Sequence, residues 1–455
     1  MSIIIIGAGE VGYNVARRLS REREDIVVID KDEAKIKRVS ETLDVYAIHG
    51  SGSSMAVLRK AGIDKAEIVV AATDSDEVNM VSCLVAGVQA IVPVKIARIK
   101  DSEYASNMLI LGEDRLDIDL VINTDQEMVN SIIRILETPA ALDVVDFANE
   151  RIRMASVFVQ EGNPIIGRHM LDLKILYPDL PVIIAAIYRD NQVIVPSGKD
   201  KIMERDLVFI IGEPATIAAM LAPLNRYHNS VLKRVMIFGG GSVGFNLAKS
   251  LEEKGIHPKI IEPDEERCAF LASALDKTMV LRGDFTSHEL LEEENISEMD
   301  AFVAVTPDEE KNILIALFAK RMGARRVVAS INRAAYLPLV YQIGVDVAIS
   351  SSLIAVNKIL QHIRRGKIAN VVTLLEDQAE VIEIEALETS DLINKRLKDL
   401  HLPKGVLVGA IFRGEELVVP SGETTIVPGD KVAMVVAADA MKQVEKIVMV
   451  KPEYW

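Results

Sequence analysis

Ser2-Ile3-Ile4-Ile5-Ile6-Gly7-Ala8-Gly9-Glu10-Val11-Gly12 opens the chain, and Ile26-Val27-Val28-Ile29-Asp30 follows one helix length later. The reading of these two stretches decides the fold. An uninterrupted run of β-branched residues is the pattern of a strand buried on both faces of a parallel sheet. Gly7-x-Gly9-x-x-Gly12 follows at once, and Val11, Val15, Ala16 and Leu19 then recur at helical spacing. In this arrangement the first glycine makes a tight turn, the second lets a pyrophosphate approach the backbone, and the third lets helix and strand pack closely. The helix start offers free N–H groups and the positive end of its dipole to phosphates. Asp30, at the end of the second strand, is placed to accept hydrogen bonds from a ribose diol. Strand, triplet, helix, strand and acid in register point to a nucleotide site.

Strand and helix patterns go on alternating. Val45–Ile48, Glu67–Ala72 and Val92–Ala97 read as strands, separated by helical stretches at 32–41 and 79–88. Such alternation makes a doubly wound parallel sheet with right-handed crossovers, whose ligands sit at the carboxyl ends of the strands. Gly7, Asp30, Gly50, Thr73 and Arg98 all fall at such ends. Thr73, Asp74 and Glu77 also suit the capping of the next helix, a compatible role. Arg98 and Lys100 are within reach of phosphates, or form a solvated basic pair. Helical patterns around Tyr104–Leu111 and Gln126–Leu136 carry more apolar residues than one covered sheet face needs. They therefore suggest either packing or a subunit contact.

From about residue 143 the pattern changes to a small α+β module. Arg151–Val159 alternates like a strand, Gly167–Leu176 looks helical, and Ile183–Tyr188 with Gln192–Val195 reads as a hairpin. Pro196-Ser197-Gly198 makes a turn and Asp206–Ile211 a closing strand. Then everything recurs. Val235-Met-Ile-Phe-Gly239-Gly240-Gly241-Ser242-Val243-Gly244 repeats the opening, and Glu262 follows Gly239 by 23 residues, as Asp30 follows Gly7. Thr306-Pro307-Asp308 answers Thr73-Asp74-Ser75, and Ser330-Ile-Asn-Arg333 is matched to Lys95-Ile-Ala-Arg98. Leu417–Gly422 repeats Val193–Gly198, and Asp430 repeats Asp206. An internally duplicated chain is expected: Rossmann-like domains at 1–137 and 231–366, small α+β domains at 143–225 and 370–450.

Bulk properties fit. A chain of 455 residues holds about three or four domains. The 4% aromatic content leaves aliphatic residues to build the cores, and a net charge of −15 argues against nucleic acid or an anionic bilayer as partner. Cys83 and Cys268 lack metal spacing and read as buried free thiols of a reducing compartment. No signal-peptide pattern precedes the first strand, and no apolar run nears the ~18 residues a spanning helix needs.

With both halves laid out, the chain resembles the TrkA family, the nucleotide-binding subunits of Trk potassium-uptake systems, built from tandem RCK domains. The motifs that carry the resemblance are Gly7–Gly12, Asp30-Lys-Asp32, Thr73-x-x-Asp76-Glu77-x-Asn79 and Asp346-Val-Ala-Ile-Ser350. It implies a cytoplasmic dimer or ring docked beneath an integral-membrane potassium channel protein such as TrkH, gating flux by bound NAD(H) or ATP/ADP. By position, the family's contacts fall on Gly7, Ala8, Gly9, Glu10, Val11, Gly12, Asp30, Thr73, Asp74 and Arg98. In the second half they fall on Gly239, Gly240, Gly241, Ser242, Val243, Glu262, Thr306 and Arg333. Two departures bear on ligand choice: Gly50-Ser51 lacks the acid of Gly283-Asp284, and Pro307 interrupts the second Thr–Asp stretch.

Asp30 and Glu262 repel a 2′-phosphate, which disfavours NADP, but they do not separate NAD from ATP. Gly240-Gly-Ser242-Val-Gly244 also fits the Gly-x-Ser-x-Gly elbow of hydrolases, with His288, His362 and His401 as available histidines. The dinucleotide pattern explains each of those glycines without it. An NAD-dependent oxidoreductase is the stronger rival, but it needs a proton donor beside the nicotinamide. The small modules offer no such constellation, and His169 has no counterpart in the second module. No P-loop and no His-Glu-x-x-His occurs. A regulatory binder without catalysis is the reading carried forward.

Overall fold

A computed structural model describes residues 2–21, 24–90, 92–105, 107, 111–112, 115–138, 140–147, 151–159, 161–163, 165–170, 172, 182–190, 192–221, 232–284, 288–363, 370–374, 378–388, 390, 392–414 and 416–448. The chain forms two compact units, each assembled from two separated segments: Met1–Ile132 with Lys233–Ile363, and Ile133–Leu232 with Arg364–Trp455.

In the first unit, β1 (Ser2–Ile6), β2 (Asp25–Asp30), β3 (Tyr46–His49), β4 (Ile68–Ala71), β5 (Val94–Arg98) and β6 (Leu120–Ile122) form one parallel sheet in the order β3-β2-β1-β4-β5-β6. The order reverses at β1, which puts the glycine loop at the topological switch point, where ligands of such sheets bind. Helix α1 (Glu10–Arg21) crosses from β1 to β2, α2 (Glu33–Thr42) from β2 to β3, and α3 (Met55–Lys60) lies before β4. α4 (Asp76–Gln89) crosses to β5, α5 (Ser102–Ala105) follows β5, and α6 (Thr124–Glu137) follows β6. The second repeat builds the same sheet, β14-β13-β12-β15-β16-β17, from β12 (Val235–Phe238), β13 (Lys259–Glu262), β14 (Met279–Arg282), β15 (Ala301–Ala304), β16 (Val327–Ile331) and β17 (Val347–Ser350).

Ile3, Ile4, Ile5 and Ile6 are all buried, odd positions into one cluster and even positions into another. The uninterrupted apolar run thus serves both faces of one strand, as strand alternation requires. Val11, Val15, Ala16 and Leu19 bring α1 down on the odd face. That cluster also contains Ala355, Val356, Ile359 and Leu360 from the helix that follows β17 (Ser351–Ile363), so the second repeat supplies part of the first repeat's core.

The second unit contains two antiparallel sheets. β7 (Asp143–Phe147), β8 (Ile152–Phe158), β9 (Val182–Arg189), β10 (Gln192–Ile194) and β11 (Leu207–Gly212) pair in the order β10-β9-β11-β8-β7. β18 (Asn370–Leu374), β19 (Ala379–Glu385), β20 (Val406–Arg413), β21 (Glu416–Val418) and β22 (Lys431–Ala437) pair as β18-β19-β22-β20-β21. One apolar cluster joins Phe147, Met154 and Phe209 to Val381, Phe412 and Val435, so the two sheets share a core. The backbone N–H of Val193 donates to Gln378 Oε1 across it at 3.1 Å. In each sheet an arginine forks onto a buried aspartate, Arg189 on Asp206 and Arg413 on Asp430.

Several expectations change. Strands β7 and β18, which the sequence pattern did not mark, open the two small modules, and a helix α7 (Pro214–Leu221) follows β11. His169 stands in a bridge to Lys201, not on a helix, with Nδ1 2.8 Å from the Lys199 carbonyl. Of the helix expected over Gly167–Leu176, residues 171 and 173–176 lie outside the described residues, as do 106 and 108–110 of that around Tyr104–Leu111. On α6, Met128, Val129, Ile132, Ile135 and Leu136 are buried, so that helix offers no exposed apolar face; Tyr104 is exposed, and so are three apolar side chains of α4, Val81, Leu84 and Val88. Burial pushes the Cys83 thiol up to about 12, whereas Cys268 is only half-buried.

A side chain at Gly12 would place its Cβ 1.8 Å from the Gly7 carbonyl oxygen, and one at Gly244 1.9 Å from that of Gly239. Gly12→Ala is therefore expected to cost at least about 3 kcal/mol, as overpacking against backbone that cannot yield, which chemical denaturation will register.

Glu252, on helix α8 (Ser242–Glu253), accepts hydrogen bonds from Lys277 N (2.7 Å), Thr278 Oγ1 (2.6 Å) and Asp276 N (3.3 Å). Burial pushes its carboxyl up, but these hydrogen bonds outweigh burial and hold it below its ordinary value. Its stabilisation is complete above that ordinary value and lost as pH falls through the lowered one. Glu252→Gln should therefore flatten the loss of melting temperature between about pH 6 and pH 3.

Candidate nucleotide-binding sites

The carboxylates that end the second strands hold the glycine loops. Asp30 Oδ2 accepts from Ala8 N at 2.6 Å and Oδ1 from Asp32 N at 2.8 Å. Glu262 repeats this, with Oε2 2.7 Å from Gly240 N and Oε1 3.1 Å from Asp264 N. Each oxygen keeps a second lone pair, enough to receive the hydroxyls of a ribose. The longer glutamate is accommodated by a smaller loop residue. A Cβ on Gly240 would lie 2.4 Å from Leu271 Cδ1 and 3.1 Å from Glu262 Oε2. The first repeat instead buries Ala8 in one cluster with the smaller Val39.

Gly7 and Gly239 take φ of +103° and +106°, open to glycine at little cost. The middle glycine behaves otherwise. Neither Gly9 nor Gly241 has a positive φ, and a Cβ at either would meet nothing within 4 Å. The fold does not require glycine there.

The helices agree. α2 is capped by Asp32, α4 by Ser75, α9 (Glu265–Ala274) by Asp264 and α10 (Glu309–Arg321) by Asp308, each side chain accepting a backbone N–H. Helix α8 begins after Gly241 with no side-chain cap, and Gly9 precedes α1 with no side chain to offer. The first amides of these two helices, like those of α3 after Ser54, donate to no side-chain cap, and uncapped helix starts of this kind suit an anion.

The edges of the sites are organised by asparagines. Thr73 N and Oγ1 donate to Asn79 Oδ1 at 2.9 and 2.7 Å, and Asn79 Nδ2 donates to the carbonyls of Thr73 and Arg98. Thr306 and Asn312 repeat the pattern, with Asn312 Nδ2 on the carbonyls of Thr306 and Ser330. The hydroxyl protons of both threonines are thus committed within the chain. Ser75 caps α4, supported by Glu77, whereas Asp74 pairs with Arg98 at 3.3 Å.

These hydrogen bonds correct the alignment of the repeats. Asp76 accepts from Lys100 N and Asp101 N, while Glu309 accepts from Asn332 N and Arg333 N. Ser330 is therefore the counterpart of Arg98, and Arg333 that of Asp101. Matching the arginines by sequence slipped the register by three residues. Arg333 pairs with Glu309 at 3.2 Å and lies over the Tyr336 ring.

The loops differ at their fourth residues too. Glu10 Oε1 accepts from Arg38 Nη1 at 3.0 Å, and that guanidinium lies 4.1 Å over the Tyr13 ring. Ser242 stands at the place of Glu10; beside it Arg267 donates to the Gly240 carbonyl and lies over Phe270. Val11 is buried, and Gly244 is accounted for by packing on Gly239, so the Gly-x-Ser-x-Gly pattern has a structural cause. No group of three or more His, Cys, Asp or Glu that could hold a metal occurs among the described residues.

Gly9→Ala is expected to leave stability within about 1 kcal/mol of the unchanged chain, since open space and ordinary φ accept a methyl group. Thermal unfolding beside Gly12→Ala will separate a glycine kept for the fold from one the fold can spare.

Comparison with known proteins gives a consistent result. Residues 3–124 and 235–351 match the TrkA-N domain, and residues 154–225 and 381–449 the TrkA-C domain. The Trk system potassium uptake protein TrkA of Halomonas elongata is 38% identical over 454 residues, covering 99% of each chain. That of Azorhizobium caulinodans is 35% identical over 460 residues, covering 100% of each. Among solved structures, the GsuK RCK domain matches with TM-score 0.61 at 18% identity, covering 98% of this chain and 94% of that one. The GsuK channel bound to NAD matches with TM-score 0.61 at 18% identity, covering 98% and 78%.

Proposed function

This chain belongs to the TrkA family, and we propose that it is the cytoplasmic regulatory subunit of a potassium-uptake system. In this reading each parallel-sheet domain binds an adenine nucleotide, NAD(H) or ATP/ADP, without transforming it. Occupancy then shifts a conformational equilibrium felt by an integral-membrane, TrkH-like potassium-translocating partner, with copies of the chain assembled as a dimer or ring. The domains are those at 1–137, 143–225, 231–366 and 370–450. The observation that carries the reading is the empty space at Gly9 and Gly241, each at the start of a helix without a side-chain cap. Asp30 and Glu262 would hold the ribose, the amides around Gly9–Val11 and Gly241–Val243 the phosphates. Among the described residues no helix is long and apolar enough to cross a membrane, in keeping with a peripheral role beside such a partner.

Calorimetry of the full-length chain is expected to give heat with NADH or with ATP and ADP. Asp30→Ala and Gly9→Asp should each weaken one binding event by about tenfold or more. In cells carrying the membrane partner, both variants should lose nucleotide-responsive potassium uptake. Normal responsive uptake from both would remove the first site from the mechanism, and steady turnover of NADH with small oxo-acids would redirect the reading to an oxidoreductase.

A further inference from the structure

One helix of the second repeat is fastened at its start to the second candidate site and along its length to helices of the first. Helix Ser351–Ile363 begins directly after β17. Ser352 Oγ donates to the Asn332 carbonyl at 2.6 Å, Ser351 Oγ donates to Asn332 Oδ1 at 2.8 Å, and Ser350 and Ser352 share a hydrogen bond of 2.9 Å. Ser350 and Ser352 are buried, so water does not compete for these bonds. Asn332 is itself held at the edge of the second site. Its N–H donates to Glu309 at 2.8 Å, and two residues earlier the Ser330 carbonyl accepts from Asn312, the side chain that also fixes Thr306. The start of the helix therefore follows the end of β16.

The body of the same helix is packed on the first repeat, within one compact unit. Val356 and Ile359 share a buried cluster with Val11, Val15 and Leu19 of α1, the helix that starts at the first glycine loop. Lys358 Nζ lies 3.3 Å from Glu127 on α6. That helix is capped by Asn123, whose Oδ1 accepts from Gln126 N at 2.9 Å and whose Nδ2 donates to the Lys100 carbonyl at 3.1 Å, just past β5. Close-packed interiors have low compressibility and pass a displacement on. A shift at the end of β16 thus reaches the helices that begin at the first site.

From this continuity we infer that the two sites are thermodynamically coupled through helix Ser351–Ile363, so that a nucleotide at either one tightens binding at the other. The inference rests on both glycine loops holding an adenine nucleotide. Its sign follows from ordering. A ligand on the second site fixes the end of β16 and with it the helix start; α1, packed on that helix, then has less freedom left to lose when its own ligand arrives. Coupling between two binding equilibria is reciprocal, so the first site acts on the second by the same factor.

The test uses the full-length chain with the sites closed one at a time, Gly9→Asp for the first and Gly241→Asp for the second. Calorimetry with NADH, ATP and ADP in turn gives the affinity of each site that remains open. In the unchanged chain the product of the two association constants should exceed the product of these separate values by about fivefold or more. Ser351→Ala combined with Ser352→Ala should bring that factor to about one and leave each separate affinity within about twofold. If the double variant does not fold, Lys358→Met takes its place and should lower the factor; if the loop variants do not fold, Asp30→Ala and Glu262→Ala replace them. A factor of one or less, or one that survives both the serine and the lysine variants, overturns the inference. Where only one site takes nucleotide, hydrogen exchange decides. Ligand on the second site should slow exchange of the α1 amides by about threefold or more, and ligand on the first should do the same for Ser351–Ile363; no remote slowing overturns the inference. Absence of heat with all three nucleotides in the unchanged chain is a different result, which removes the nucleotide reading itself.

Discussion

A carbonyl oxygen standing where a side chain would have to be is the constraint behind both sites. The Gly7 oxygen occupies the space beside Gly12, and the Gly239 oxygen the space beside Gly244. This contact lets the helix sit low against the strand and aims its first turn across the strand ends. Everything polar at the site is arranged about that placement: the acid from the second strand clasps the loop amide, and the asparagine of the fourth crossover ties down the neighbouring strand ends. Glycine is imposed there by sterics alone, whatever the protein binds.

Legibility in the sequence follows the same division. Buried parallel strands announce themselves because every residue must be apolar, so β1, β2 and β12 could be read directly. The duplication was visible because the glycine-to-acid spacing is fixed by the length of one helix and one strand. What escaped was anything set by pairing across space. The register of Ser330 against Arg98 is recorded in carbonyls and an asparagine side chain, not in residue type, and a nearby arginine invited the wrong match. Ser75 as the cap of α4 was hidden beside Thr73 and Asp74, residues of the same capping class. The sharing of the first repeat's core by residues 355–360 has no local signature, since an apolar helix face does not say what covers it.

The two copies have diverged by compensated exchanges. Ala8 with Val39 became Gly240 with Leu271, as the volume removed from the loop was returned on the neighbouring helix. Asp30 became Glu262, its longer reach still ending on the same amide. The ionic corner of Asp74, Arg98 and Lys100 became the neutral one of Pro307, Ser330 and Asn332. Each exchange keeps the backbone of the site and alters the chemistry offered to a ligand, which is how a duplicated fold acquires two different pockets.

The helix at Ser351–Ile363 begins at the edge of the second sheet and ends by burying Val356, Ile359 and Leu360 against α1, the helix that starts at the first glycine loop. A cut between the repeats would expose that seam on both pieces, so neither half is a self-sufficient folding unit. Melting of the parallel-sheet pair is then a joint event, and whatever stabilises one pocket raises the unfolding temperature of its twin. Fusion in a single chain supplies the high local concentration that keeps the seam closed.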